Sequence, residues 1–187
     1  MAAPASPLKQ AHRTVQLPGA AAPRPAPEVL RRYHFQVVAA NVTDAVMSIG
    51  GLILDRAMAG WDVSVVVDAE TARGIDDRPI RILGGKVTSL VGGPNRAEML
   101  PRPHMLAVAT DVMVKSEAVR RRVLAAGNDN ATDVLLWGRH HPPERNCRFV
   151  PVRHRPSAAA QAFKSHALAA GGAIAVHQAD EGFYSMA

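Results

Sequence analysis

The stretch FQVVAANVTDAVMSIGGLILDRAMAGWDVSVVVD, residues 35–68, decides the fold of this chain. It begins with the short apolar run FQVVAA (35–40), which is typical of a buried strand. It ends with WDVSVVVD (61–68), whose β-branched valines also predict a strand. The residues between these runs (41–60) carry the pattern of a helix. A strand, a helix and a second strand in this order predict a βαβ unit of a parallel sheet.

The helix predicted between the two strands has recognisable ends. Thr43 is the candidate N-cap, Asp44 suits the first turn, and Gly60 suits the C-terminal end. Gly50 and Gly51 lower the helix propensity, and they allow another backbone to approach closely. Apolar residues recur at spacings of three and four along one face: Ala45, Ile49, Leu52, Ile53 and Ala57.

A second βαβ unit is predicted further along the chain. HMLAVATDV (104–112) and TDVLLWG (132–138) predict strands, and KSEAVRRRVLAAGNDN (115–130) predicts a helix capped by Ser116. The alternation of strands and helices is typical of the α/β class. We therefore expect a single Rossmann-like domain with a mainly parallel sheet.

Three other segments are less regular. Residues 78–95 predict two short strands in a hairpin or a pair of sheet-edge turns, because paired glycines interrupt the segment twice. CRFVPVRHR (147–155) predicts a strand at a sheet edge, since Pro151 cannot donate a ladder hydrogen bond. AIAV (173–176) predicts a last short strand.

A helix is predicted over 156–172, with Ser157 as its N-cap and Gly171 at its end. Its inner face is expected to comprise Ala159, Phe163, Ala167 and Ala170. In that arrangement Phe163 is buried under the sheet and Lys164 faces away from the core. Truncation of Phe163 should then destabilise the fold strongly, and truncation of Lys164 should not.

Residues 1–32 differ in composition from the rest of the chain. They are rich in Ala and Pro, lack apolar periodicity, and hold five cations against one acid. We expect a disordered cationic tail here, followed by the α/β domain over 33–187.

The remaining composition excludes several classes of protein. A single cysteine rules out an intramolecular disulfide and a Cys-x-x-Cys motif. The apolar runs are too short to span a bilayer, and no secretory signal is visible. We therefore expect a cytoplasmic protein without a membrane partner. Its Arg and Ala bias is typical of a bacterial coding sequence.

The carboxyl ends of the predicted strands are the places where an open parallel sheet binds ligands. Asn41–Asp44 follow the first strand, and Asp68 ends the second. Asp111 ends the strand at 104–112, and Gly138–His141 follow the strand at 132–138. The segment that contains Gly138–His141 is positively charged, because residues 137–166 hold six cations against one acid.

Arginine binds phosphate through charge-assisted and often bidentate hydrogen bonds. The predicted ligand-binding residues are Asp68, Asp111, Arg139, His140, His141 and Arg145. They indicate a site for an anionic small molecule or a nucleic acid. A solvated, arginine-rich surface is the alternative.

The sequence lacks the familiar signatures of cofactor and nucleophile sites. The first turn, AANVTD, has no glycine for a dinucleotide, and GGKVTS (84–89) lacks the residue order of a phosphate loop. The histidines do not have the spacing of zinc ligands, and no partner base for Cys147 can be identified. No catalytic residue, cofactor or metal is therefore predicted.

These observations favour a non-catalytic binding or regulatory protein that recognises an anionic ligand or partner. One alternative is a small Rossmann-like enzyme that acts on a nucleotide or a phosphorylated metabolite. Another is an assembly subunit that uses its edge strand and Ala-rich helix to bind a protein partner.

Overall fold

The computed structural model describes residues 32–67, 74–89, 102–128, 131–138, 149–174 and 179–186. Within these ranges the chain forms one seven-stranded sheet and five helices. The predicted tail at 1–32 lies almost wholly outside them, so its disorder stays a prediction. No helix among the described residues has the length and apolar character needed to cross a bilayer.

The strands are β1 (His34–Ala39), β2 (Asp62–Val67), β3 (Lys86–Ser89), β4 (Met105–Ala109), β5 (Asp133–Trp137), β6 (Phe149–His154) and β7 (Glu181–Met186). The helices are α1 (Val42–Met58), α2 (Arg78–Ile82), α3 (Thr110–Lys115), α4 (Glu117–Gly127) and α5 (Ala158–Ala170).

The strand order in the sheet is β3-β2-β1-β4-β5-β7-β6. The first five strands of the chain run parallel to one another, which confirms the two predicted βαβ units. β7 then pairs antiparallel with β5, and β6 pairs antiparallel with β7. The sheet is therefore mixed, and its Rossmann-like character is limited to the parallel part.

The core occupies both faces of the sheet. Alternate residues of β4 show the division, because Met105 and Ala107 pack with α1 and α5, whereas Leu106 and Val108 pack with α3 and α4. All four side chains are buried. Central strands that are buried on both faces need continuous apolar runs, which explains the composition of β1, β2 and β4.

Helix α1 begins one residue after Asn41, which is its N-cap in place of the predicted Thr43. Asn41 Oδ1 accepts a hydrogen bond from the Asp44 backbone N–H at 2.8 Å. Asn41 has extended backbone angles (φ −158°, ψ 172°), as an N-cap residue requires, whereas Thr43 already lies inside the helix. The predicted caps Ser116 and Ser157 are confirmed, since each side chain accepts a backbone N–H of the first turn.

Three predicted elements differ from the structure. Residues 78–82 form helix α2 rather than a strand, and β3 pairs parallel with β2, so the predicted hairpin is wrong. The strand predicted over 104–112 ends at Ala109 and continues directly as α3. Residues 173–174 are not a strand, and 175–176 lie outside the described residues. The last strand is β7, which the sequence pattern did not predict.

Two predictions about the C-terminal part concern burial. β6 is an edge strand, and Pro151 is exposed on it, as predicted. The predicted inner face of α5 is confirmed at Ala167 and wrong at Phe163, because Phe163 is 47% exposed and Lys164 is only 7% exposed. The buried positions of this helix are Ala160, Lys164, Ala167 and Leu168. A lysine is buried here because its ammonium group meets the carboxylate of Glu181.

The exchange of roles between Phe163 and Lys164 gives a direct test of the fold. Lys164→Ala should lower the free energy of unfolding by about 3–5 kcal/mol, because it leaves the Glu181 carboxylate buried without its partner. Phe163→Ala should lower it by less than about 1 kcal/mol, since the ring is half exposed. Urea denaturation of both variants measures the difference. Equal losses, or a larger loss for Phe163→Ala, would show that α5 presents a different face to the core.

Candidate functional site

The carboxyl ends of the five parallel strands lie at one edge of the sheet, which we call the carboxyl edge. The chain passes from β1 to β2 on one side, whereas β4 lies on the other side of β1. The connections therefore diverge between β1 and β4, and we call the region beyond these two strand ends the crevice. Ligands of open α/β sheets bind at such a switch point.

Asp44 follows β1 and stands in the first turn of α1. Its side chain is half-buried, and Oδ1 accepts a hydrogen bond from Ser48 Oγ at 3.2 Å. Exposed Asn41 and Thr43 flank it along the chain. A carboxylate at this place is stabilised by the positive end of the helix dipole.

Thr110 follows β4 on the other side of the crevice. The residue is only 1% exposed, and its Oγ1 has no hydrogen-bond partner among the described residues. Gly138, after β5, has φ +124°, and a Cβ atom built on it would lie 2.5 Å from Thr110 Oγ1. The glycine thus lets the ends of β4 and β5 approach closely around this hydroxyl.

A second buried donor lies at the end of β5. Among the described residues, the indole Nε1 of Trp137 has no hydrogen-bond partner. Trp137 is the last residue of β5 and packs in the cluster shared by α1 and α5. The ends of β4 and β5 thus carry two buried donors, Thr110 Oγ1 and Trp137 Nε1.

The antiparallel strand β7 brings an acid to the carboxyl edge. Glu181 pairs with His154 at the end of β6, a strand that runs in the same direction as β5. The Glu181 side chain is fully buried, and its Oε1 accepts hydrogen bonds from the Gly51 N–H at 2.8 Å and from Lys164 Nζ at 2.6 Å. Its Oε2 accepts the Leu52 N–H at 3.0 Å. One carboxylate therefore joins β7, α5 and the middle of α1.

A second polar cluster joins α1 to the start of α5. Asp55 Oδ1 accepts Ser157 Oγ at 2.6 Å, and Oδ2 accepts the Ser157 N–H at 3.1 Å and His154 Nε2 at 2.9 Å. Burial acts to raise the pKa of Asp55, but the hydrogen bonds from Ser157 and His154 outweigh it and hold the pKa below its ordinary value. This is not a nucleophile triad, because the carboxylate lies between the hydroxyl and the imidazole.

Of the residues predicted to bind a ligand, the structure places only Asp111, which is half-buried in the first turn of α3 at the carboxyl edge. Asp68, Arg139, His140, His141 and Arg145 lie outside the described residues. The anion-binding site proposed from them is therefore not supported by the described geometry. The described residues contain no group of three or more His, Cys, Asp or Glu side chains arranged to hold a metal ion.

Sequence reasoning missed Thr110, Lys164 and Glu181. The partnerless hydroxyl of Thr110 has no sequence signature, and Glu181 stands on a strand that no pattern predicted. A signal did exist in Gly50-Gly51, which indicates close approach of another part of the chain. The groups that approach are side chains: a Cβ on Gly51 would lie 2.6 Å from Pro156 Cγ and 3.0 Å from Glu181 Oε1.

The fold has counterparts among solved structures. The pseudoaglycone deacetylase Dbv21 matches 84% of this chain and 98% of its own, with a TM-score of 0.56 and 13% identity. A deacetylase bound to teicoplanin matches 82% and 97%, with a TM-score of 0.58 and 12% identity. The 4-carboxy-2-hydroxymuconate hydratase of Pseudomonas putida matches 82% and 95%, with a TM-score of 0.50 and 14% identity. No protein-family model and no curated protein matches this chain by sequence.

These likenesses correct the functional expectation. The prediction of a non-catalytic binding or regulatory protein is contradicted, because the solved structures that share the fold are deacetylases and a hydratase. At 12–14% identity the likeness itself extends to the fold.

Replacement of Gly138 tests the close approach at the carboxyl edge. Gly138→Ala should lower the free energy of unfolding by about 1–3 kcal/mol, because its φ of +124° strains any residue with a Cβ atom and Thr110 Oγ1 occupies the space. Gly182→Ala is the matched control, since nothing lies within 4 Å of its Cβ position. Thermal unfolding compares the two variants, and a loss of the same size in both would contradict this geometry.

The pH dependence of stability tests the Asp55 cluster. The pKa of Asp55 is lower in the folded chain than its ordinary value of 3.8. The carboxylate therefore contributes its full stabilisation above pH 3.8, and this contribution is lost as the pH falls through the lower folded value. Between pH 5 and 2 the melting temperature of Asp55→Asn should fall less steeply than that of the wild type. Parallel curves, with Asp133→Asn as the control for an exposed acid, would show that Asp55 is not held in this way.

Proposed function

We propose that this protein is a hydrolase that removes the acyl group from an N-acylated small molecule at the carboxyl edge. The observation that supports the proposal most is the shared fold, which extends over 97–98% of the length of two deacetylases. A second support is the position of Asp44 and Thr110 on either side of the crevice between β1 and β4.

Asp44 is the proposed general base. A carboxylate in the first turn of α1 can accept a proton from water as the water oxygen attacks the acyl carbon. In the balanced reaction the carbon–nitrogen bond breaks, the amine nitrogen takes up a proton, and the acyl group leaves as a carboxylate.

Thr110 is the proposed donor to the acyl oxygen. Negative charge develops on that oxygen as water adds, and a fixed donor stabilises it most in a site with little water. The Thr110 hydroxyl is already desolvated and has no partner in the described part of the chain. Binding a carbonyl oxygen would offset the cost of about 1–3 kcal/mol that a buried polar group without a partner carries.

Release of primary amine and of acetate from a panel of N-acetylated amino sugars and N-acetylated peptides tests the proposal. Asp44→Asn should lower kcat by about 10²–10⁴-fold, the usual contribution of a general base, and should leave the melting temperature nearly unchanged. Asp133→Asn is the matched control, because Asp133 is an exposed acid at the amino end of β5. Absence of hydrolysis with every amide, or equal activity of Asp44→Asn and the wild type, would overturn the proposal.

A further inference from the structure

Two consecutive N–H groups in the middle of α1 donate hydrogen bonds to a side chain outside the helix. They belong to Gly51 and Leu52, and both reach the Glu181 carboxylate. An interior N–H of an α-helix is normally satisfied by the carbonyl four residues earlier. Because each N–H carries one hydrogen, the Glu181 carboxylate takes part in satisfying the backbone of α1 at these two residues.

The sequence of α1 makes room for this contact. Gly50 and Gly51 remove two side chains from the side of the helix that faces α5. A Cβ on Gly50 would lie 3.3 Å from Lys164 Cγ, and a Cβ on Gly51 would lie 2.6 Å from Pro156 Cγ. Two glycines cost an exposed helix interior about 0.8–1 kcal/mol each relative to alanine. The contact is thus kept in spite of its cost to the helix.

The two side chains that meet beside Gly50 and Gly51 form a buried ion pair. Lys164 and Glu181 have side chains that are 9% and 0% exposed, and their Nζ and Oε1 atoms are 2.6 Å apart. Taking two charges out of water costs several kcal/mol per ion, so apolar residues of similar volume would often serve stability as well or better. Besides its contribution to stability, the pair can therefore serve to position the helix that it contacts.

The ion pair fixes the orientation of α1, which an apolar contact does not. An apolar contact allows a helix to slide or rotate slightly, whereas two hydrogen bonds to successive N–H groups set both its height and its rotation. Asp55 lies one turn further along the same side of α1 and is fixed to Ser157 and His154. The segment from β6 to β7 therefore holds α1 at two successive turns.

We propose that Glu181 and Lys164 are a positioning pair that fixes α1 so that Asp44, in its first turn, stands at the crevice between β1 and β4. Helix α1 is continuous from Val42 to Met58, so a shift at Gly51 carries Asp44 with it. The effect of the pair on the position of Asp44 is independent of the proposed hydrolase function. Its effect on catalysis rests on that function.

The test replaces the pair by apolar residues of similar size, in the double variant Lys164→Met/Glu181→Leu of the full chain. This variant should have a higher free energy of unfolding than Lys164→Ala, because no unpaired charge stays buried. The backbone amide resonances of residues 43–46 should nevertheless move in ¹H–¹⁵N spectra. With a substrate identified, kcat should fall by about tenfold or more while KM changes little, because misplacement of a catalytic group by 1 Å costs up to about a hundredfold in rate.

The control is Phe163→Ala, on the exposed side of α5, which should leave the resonances of 43–46 unchanged. A stable double variant with unchanged resonances at 43–46 and unchanged kcat would overturn the proposal and leave the pair a purely structural role. If the double variant does not fold, Glu181→Gln decides, because it removes the charge and retains one acceptor oxygen. It should move the same resonances by a smaller amount, and unchanged resonances would again overturn the proposal.

If the wild type hydrolyses no amide, the hydrolase proposal fails and the spectra still test the positioning pair. If hydrolysis is found and the spectra do not change, the positioning pair fails by itself.

Discussion

The buried carboxylate of Glu181 is the contact on which the arrangement of this domain depends. It accepts hydrogen bonds from residues 130 and 129 positions earlier in the chain and an ion pair from Lys164. Through it the last strand, the last helix and the first helix meet at one point. Because a buried carboxylate without partners would be strongly destabilising, all three elements have to be in place together.

This constraint explains features that otherwise look like defects. A glycine pair in a helix interior, a lysine on the inner side of α5 and a half-exposed phenylalanine beside it each contradict the usual rules of amphipathic helices. Each follows once Lys164 and Glu181 are placed between α1 and β7. The exposure of Phe163 is then a consequence, since Lys164 and not Phe163 occupies the side of α5 that faces the core.

The parallel half of the sheet could be predicted from the sequence, and the antiparallel half could not. The valine-rich runs of β1 and β2 are buried on both faces, so composition alone identifies them. β7 contains Gly182 and the polar residues Tyr184 and Ser185, and it is a strand because it fills the gap between β5 and β6. Tertiary pairing of this kind leaves no local signal.

The candidate site could likewise be predicted from the sequence only in part. The rule for carboxyl ends of parallel strands directed attention to the edge at which Asp44 and Asp111 lie, and a ligand site there stays a prediction. It could not identify Thr110, since a buried hydroxyl without a partner is a property of packing. The expected anion site depended on charge density along the chain, which does not report how side chains meet in space. The likeness to deacetylases and a hydratase is a likeness of fold, which charge density along the chain does not report either.

Native-state hydrogen exchange of the Gly51 and Leu52 amides tests the central contact most directly. If Glu181 holds α1, both amides exchange in the wild type only when the whole domain unfolds, so their exchange rates follow global stability as urea is raised. In Glu181→Gln they should exchange faster than the amides of Ile53 and Leu54 by local opening. Equal protection of all four amides in both proteins would contradict the account, because α1 would then be held without Glu181.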